Sequence, residues 1–208
     1  MLRIWQRGLY YSLGIIILTL GIALTIESHL GTSPFDALLV GLYRSFGLTI
    51  GSWEIVVGLT IILFNAAAQR KRPELLALAT SLLTGIGIDL WLWIIRSNDL
   101  MLSPNLMAQI LCLLAGILFA SLGIAINLQA DFAPNPFDRM MLVVRKLTGW
   151  TITTSRVLIS ILLVIVAALF GGAIGVGTIL ITLLSGPAIH GFMNLVNRLD
   201  QRLAPAGS

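Results

Sequence analysis

The stretch "SPFDALLVGLYRSFG" (33–47) has a partner, "NPFDRMMLVVRKLTG" (135–149), that begins 102 residues later. In each, a proline follows a preferred N-cap residue, Ser33 or Asn135, and an aspartate, Asp36 or Asp138, lies two positions on. Proline costs nothing in the first turn of a helix, where its missing N–H would have no intrahelical partner. The serine hydroxyl or asparagine amide oxygen accepts a bond from a freed backbone N–H. A negative charge in that first turn suits the helix dipole. Each stretch therefore predicts a helix of about 13 residues, or ~20 Å, which falls short of the ~30 Å hydrocarbon core of a bilayer. They are half-helices.

Everything around them is apolar. Of 208 residues, 57% are hydrophobic and 11% charged, and the mean hydropathy is +0.97. A soluble domain carries about 25% charged residues, so this chain has too little polar surface to face water all round. Six stretches are long enough to cross a membrane as helices: roughly 9–27, 52–69, 74–95, 106–127, 153–171 and 174–195. The first follows a basic start, as a secretory signal does. Its apolar core is long, no small-residue cleavage site follows, and its pattern recurs at 115–126, so it reads as a permanent span.

The recurrence extends well beyond the half-helices. Under the same shift of 102, "GIIILTLGIAL" (14–24) lies over "GILFASLGIAI" (116–126), and "GLTI" (47–50) over "GWTI" (149–152). With one residue of slippage, "SLLTGIGID" (81–89) matches "TLLSGPAIH" (182–190). The expected fold is an all-α polytopic membrane protein with six transmembrane helices and two PFD half-helices, built as two three-span repeats. The first covers 9–97, the second 106–197, and a cytoplasmic tail takes 198–208. An odd number of crossings per repeat makes the second copy enter from the opposite side. Loop charge agrees, because "QRKR" (69–72), Arg139, Arg145, Lys146, Arg198 and Arg202 then share a side with Arg3 and Arg7. That side is the cytoplasm, with both termini on it, and only Arg44 and Arg96 fall outside. Full crossings by the PFD segments would put "QRKR" outside, which disfavours eight spans.

Two placements of the half-helices are open. Their approach segments, "ESHLGT" and "NLQADFAP", can dip into the membrane, where irregular backbone is tolerated only when buried in protein or facing water. Two helix N-termini would then meet near the midplane, as transporters arrange them for anionic groups. Otherwise the half-helices lie flat at the interfaces as amphipathic connectors.

Ionisable groups in spans are functional candidates by default. Glu54 and Arg156 begin equivalent spans and would pair across a pseudo-twofold axis, or each sits among headgroups. Asp89 and His190 are equivalent, each four residues past a shared glycine, Gly85 or Gly186, and so on the same helix face. They either bind a proton or polar substrate, or hydrogen-bond a neighbouring helix. Glu27, His29, Asn127, Gln129 and Asp131 stand near the caps and are candidates to line the same cavity. Gly14, Gly21, Gly116 and Gly123 suit close helix contact.

Other chemistry is absent from the pattern. The lone Cys112 lies in an apolar run, which rules out a disulfide framework or a cysteine metal cluster. "GGAIGVGT" (171–178) lacks the Lys and Ser/Thr of a phosphate loop. No nucleophile elbow, zinc spacing or carboxylate set points to an enzyme, and no cofactor is implied. The charge of +4 is spread over loops rather than forming a nucleic-acid surface.

The strings "GIALTIESHLGTSPFDAL" (21–38), "GLTIG" (47–51) and "GVGTILITLLSG" (175–186) resemble the YczE/YyaS/YitT family of bacterial integral membrane proteins, over roughly Gly14 to His190. That resemblance implies a small multi-pass protein of the bacterial plasma membrane and little about chemistry. The second copy has Ala133-Pro134 where the first has Gly31-Thr32, so the approach loops differ and a strictly symmetric site is in doubt. The expected function is movement of a small solute, with some preference for a negative group. Ser33, Asp36, Asn135 and Asp138 would shape the half-helix ends, and Asp89 and His190 would supply polar contacts. The alternative is a non-transporting accessory or regulatory membrane protein that binds a protein or lipid partner. Besides the lipid bilayer, a small-molecule substrate and a second copy of the chain are the partners considered, and nucleic acid is not.

Overall fold

A computed structural model of the chain describes residues 4–98, 105–130 and 135–203. The described residues form eight helices and no strand: α1 (Ile4–Glu27), α2 (Pro34–Phe46), α3 (Ile50–Gln69), α4 (Leu75–Ser97), α5 (Leu106–Ala130), α6 (Pro136–Thr148), α7 (Ile152–Leu169) and α8 (Val176–Leu203). Six of them, all but α2 and α6, are long and apolar enough to cross a membrane. The protein is thus a multi-pass membrane protein, with the two short helices where the PFD motifs placed them.

Both half-helices begin as the sequence expects. The Ser33 hydroxyl accepts from the Asp36 N–H at 3.2 Å, and the Asn135 amide oxygen accepts from the Phe137 N–H at 3.0 Å. Both end on a glycine with φ of 76°, Gly47 and Gly149. That conformation strains any residue with a Cβ.

The centre of the bundle is the crossing of α1 and α5. Gly14 faces Asn127, and Gly21 faces Ala120 and the Gly116 carbonyl; Gly123 faces Leu18, and Gly116 faces Thr25. Positions that rise along one helix fall along the other, so the two run antiparallel. A Cβ on Gly21 would lie 2.2 Å from the Ala120 nitrogen. Only glycine permits that approach, and close backbone contact is what holds helices together where lipid removes the hydrophobic drive.

The other long helices join this pair. α4 packs on α1 and α8 on α5, each running with its partner. Tyr11 and Thr80 share a hydrogen bond of 2.8 Å near the starts of α1 and α4, and Glu27 and Arg96 an ion pair of 2.8 Å near their ends. Gln129 of α5 likewise bonds Asn197 of α8. α3 packs along α4. α2 and α6 each touch both α3 and α7, and so bridge them.

One seam differs from its counterpart. α3 and α4 are pressed together by glycine: a Cβ on Gly51 would stand 2.0 Å from the Gly85 carbonyl oxygen, and one on Gly58 2.3 Å from the Ser81 hydroxyl. α7 and α8 follow each other in the same way but do not pack along their lengths. The buried share of the most apolar stretch is accordingly 39% in α4 and 6% in α8.

Sequence reading passed over the role of the glycines at 171–177. They let the α7–α8 connection lie against α2 and the turn before it. A Cβ on Gly172 would meet the Ala37 carbonyl at 2.4 Å, and one on Gly175 the Leu30 carbonyl at 2.3 Å. Thr32 N–H donates to the Ala173 carbonyl at 3.0 Å, and Gly177 N–H to the Leu30 carbonyl at 2.8 Å.

Candidate functional site

The two half-helix N-termini come together inside the bundle. Phe35 and Phe137 touch, with ring centroids 5.5 Å apart, and both border a cavity of about 220 Å³. Ser33, Asp36 and Asn135 border it too. Residues 35–41 of α2 are buried, whereas Tyr43 to Thr49 are exposed. α2 therefore starts in the interior and ends at the surface, and the same sense holds in α6, from buried Pro136 to exposed Arg145 and Lys146. Of the two placements open in the sequence, the dipping one matches this geometry.

Asp36 is held as well as buried. Its side chain is 7% exposed and accepts the Ser33 hydroxyl proton at 2.6 Å. The pair forms a reciprocal cap in which Ser33 also accepts from the Asp36 backbone. Asp138 lies in the first turn of α6, and its side chain lies outside the described residues.

Arg156, at the first turns of α7, is exposed and borders the cavity. It does not meet Glu54 in an ion pair among the described residues. Glu54 is 1% exposed, its Oε1 has no hydrogen-bond partner in the protein, and it lies within electrostatic range of Asp36. Of the two readings open for Glu54 and Arg156, the pairing does not form among the described residues. The two halves differ here because α3 is sealed by α4 whereas α7 is open on the α8 side.

Asp89 and His190 also take separate roles. Asp89 reaches from α4 to the start of α3, accepting from the Thr49 hydroxyl at 2.6 Å and the Gly51 N–H at 2.8 Å. It is an additional cap on α3 and does not border the cavity. His190 is exposed on α8 and does not border it either. Of the residues near the caps, Asn127 borders the cavity, Glu27 is taken by Arg96, Gln129 by Asn197, and His29 is exposed. Asp131 lies outside the described residues. Cys112 is buried and its thiol donates to the Leu24 carbonyl at 3.0 Å.

Several lining residues were not foreseen: the hydroxyls of Thr84, Ser121, Ser160, Thr182 and Ser185. Thr84 is 2% exposed and its hydroxyl has no partner in the protein. Other span threonines bond back one turn, as Thr19 does to Ile15 and Thr182 to Thr178. The signal was in the sequence, since Ser81/Thr84 and Thr182/Ser185 are hydroxyl pairs at helical spacing, 101 residues apart. Among the described residues no group of His, Cys, Asp and Glu has the arrangement to hold a metal ion.

Residues 5–194 match a family described as a family of unknown function, DUF6198. The chain belongs to that family. It is 47% identical over 193 residues to the uncharacterized protein YyaS of Bacillus subtilis, covering 93% of this chain and 95% of that one. The uncharacterized membrane protein YczE of the same organism is 34% identical over 181 residues, 86% of this chain and 82% of its own. An uncharacterized protein of Haemophilus influenzae is 27% identical over 184 residues, 88% and 81% of the two chains. No solved structure matches the chain. The resemblance drawn from the sequence is thus the right family, and the family brings the membrane with it and no chemistry.

Proposed function

We propose that this DUF6198 protein is a permease of the bacterial plasma membrane that moves a small solute, with preference for one bearing a negative group. The observation that carries this reading is the meeting of two half-helix N-termini at one cavity inside a bundle of six spans. Each N-terminus contributes a partial positive charge of its helix dipole, and Arg156 adds a full one. Ser33, Asn135 and Arg156 are the groups assigned to the solute, while Asp36 fixes the Ser33 hydroxyl.

The reading takes the halves as inverted repeats, supported by the antiparallel α1 and α5 and by glycine contacts that recur 102 residues apart. It places both termini in the cytoplasm. "QRKR" (69–72), Arg139, Arg145, Lys146 and Arg198 then lie on the positive side. The two exceptions are tied to the protein: Arg96 is paired with Glu27, and Arg44 donates to the Gly171 carbonyl at 2.8 Å.

The test is thiol accessibility with Ser33→Cys and Asn135→Cys, each in a Cys112→Ala background, in sealed vesicles of known orientation. A permease requires both positions to react with a membrane-impermeant reagent, each mainly from its own side and to a lesser degree from the other. Reaction of neither, or reaction as interfacial residues only, favours the accessory reading, in which the protein binds a protein or lipid partner without transport.

A further inference from the structure

The described spans form a ring around the cavity in which neighbours pack directly or through a half-helix, except at one place. α1 closes on α5 and on α4, α4 on α3, and α5 on α8, while α2 and α6 link α3 to α7. Among the described residues α7 and α8 do not pack along their lengths, although both border the cavity. The cavity is therefore least walled on that side.

The opening is written in the sequence. The α3–α4 seam depends on Gly51 and Gly58, where a Cβ would collide with α4. At the positions 102 residues on stand Thr153 and Ser160, each with a Cβ, so α7 cannot copy that seam. Across the gap Gly186 has no atom within 4 Å of where its Cβ would be, and exposed His190 makes no counterpart of the Asp89 cap.

The lining of the gap changes from inside to outside. Inward stand Arg156 and Ser160 of α7 with Thr182 and Ser185 of α8. Next to them in sequence, Ile161 of α7 is 51% exposed and Leu183 of α8 65%, as suits lipid contact. On the far wall the buried Thr84 hydroxyl has a donor and an acceptor to spare. Among the described residues Asp36 is the other charged group on the cavity, and its carboxylate is already engaged by Ser33. The volume, about 220 Å³, is below the ~300–1,000 Å³ usual for sites that enclose a whole ligand.

Resting on the reading of the cavity as the binding site, we infer that its ligand is an amphiphile with an anionic headgroup, taken in sideways from the bilayer between α7 and α8. The headgroup lies at Arg156, Ser160 and Thr84, and the chain passes out through the gap into the membrane. A small cavity then suffices, because only the polar end is enclosed.

The test uses the full chain with Cys112→Ala and Ser160→Cys, labelled with bimane and reconstituted in phosphatidylcholine vesicles. Doxyl-stearoyl lysophosphatidate is titrated as quencher against an uncharged doxyl-stearoyl monoglyceride. The anionic amphiphile is expected to quench at lower mole fraction. Adding Arg156→Gln weakens it roughly tenfold or more, the usual worth of a charge-assisted hydrogen bond, and Arg156→Lys restores part of it. Equal quenching by both, or a preference that Arg156→Gln leaves intact, overturns the inference. Absence of quenching, with the thiol at position 160 protected from a water-soluble reagent by inorganic phosphate, overturns it while the permease reading stands. A thiol reached neither by lipid nor by water overturns both.

Discussion

Phe35 and Phe137 pack ring against ring, 5.5 Å apart and tilted by 34°, at the inner ends of helices that enter the bundle separately. They are the point at which the two halves of the site touch. Phe35 is 9% exposed, whereas Phe137 is half-buried. Phe35→Ala is therefore expected to cost about 3 kcal/mol, near the lower end for a core phenylalanine, and Phe137→Ala distinctly less. Thermal unfolding in detergent, followed by tryptophan fluorescence, compares the two. Equal losses would mean that the ring contact itself, rather than burial, holds the ends together.

Asp89 and His190 occupy matching positions and are expected to respond in opposite ways. Asp89→Ala removes the acceptor for the Thr49 hydroxyl and the Gly51 N–H. The exposed Thr49 hydroxyl keeps its bond with Ser52, so a loss of about 1–3 kcal/mol follows from leaving the buried Gly51 N–H unpaired. His190→Ala, at an exposed site, should stay within about 0.5 kcal/mol of the parent. Should His190→Ala prove the more damaging, the gap between α7 and α8 is closed in the working protein.

Gly51→Ala puts a methyl group 2.0 Å from the Gly85 carbonyl oxygen. Overpacking of this kind costs about 1–3 kcal/mol, and here it also pries α4 from α3. Thr153→Ala, its counterpart on α7, should be close to neutral. Cysteine pairs that report α3–α4 proximity by cross-linking would show the first change directly.

Glu54 is 1% exposed with one carboxylate oxygen unpartnered. An amide of the same shape is easier to bury than a carboxylate without a partner. Glu54→Gln is therefore expected to match or exceed the parent in thermal stability. Glu54→Ala should lose about 2 kcal/mol or more to the space it leaves. A sharp drop for the glutamine variant would reveal a cation or donor at Glu54.

The fold was legible because its signals are local. Ser33-Pro34 and Asn135-Pro136 announce helix starts, Gly47 and Gly149 announce the stops, and the apolar runs between them are long enough to span. Close helix contact could be anticipated at Gly14, Gly21, Gly116 and Gly123, which keep one register, although not that α1 and α5 meet there. The site was only half legible. Ser33, Asp36 and Asn135 were found because capping is a property of a few adjacent residues. The roles of Asp89 and Arg156 stayed open in the sequence because matching positions imply matching surroundings only if both halves pack alike. They do not: Gly51, pressed against α4, is matched on α7 by Thr153, a difference that matters only once α4 or α8 is known to lie opposite. Thr84 escaped notice because a lone hydroxyl in a span ordinarily bonds its own helix.

The partner that α1 grips most closely, α5, begins at Leu106, after half the chain has left the ribosome. Until then the glycine face of α1 has nothing to close on, and the first three spans must wait in the membrane as an unfinished group. Assembly is thus a matter of timing as well as shape. A chain cut in the connection at 99–104, with both pieces made in one cell, should therefore join into a working whole, while the first piece alone is degraded.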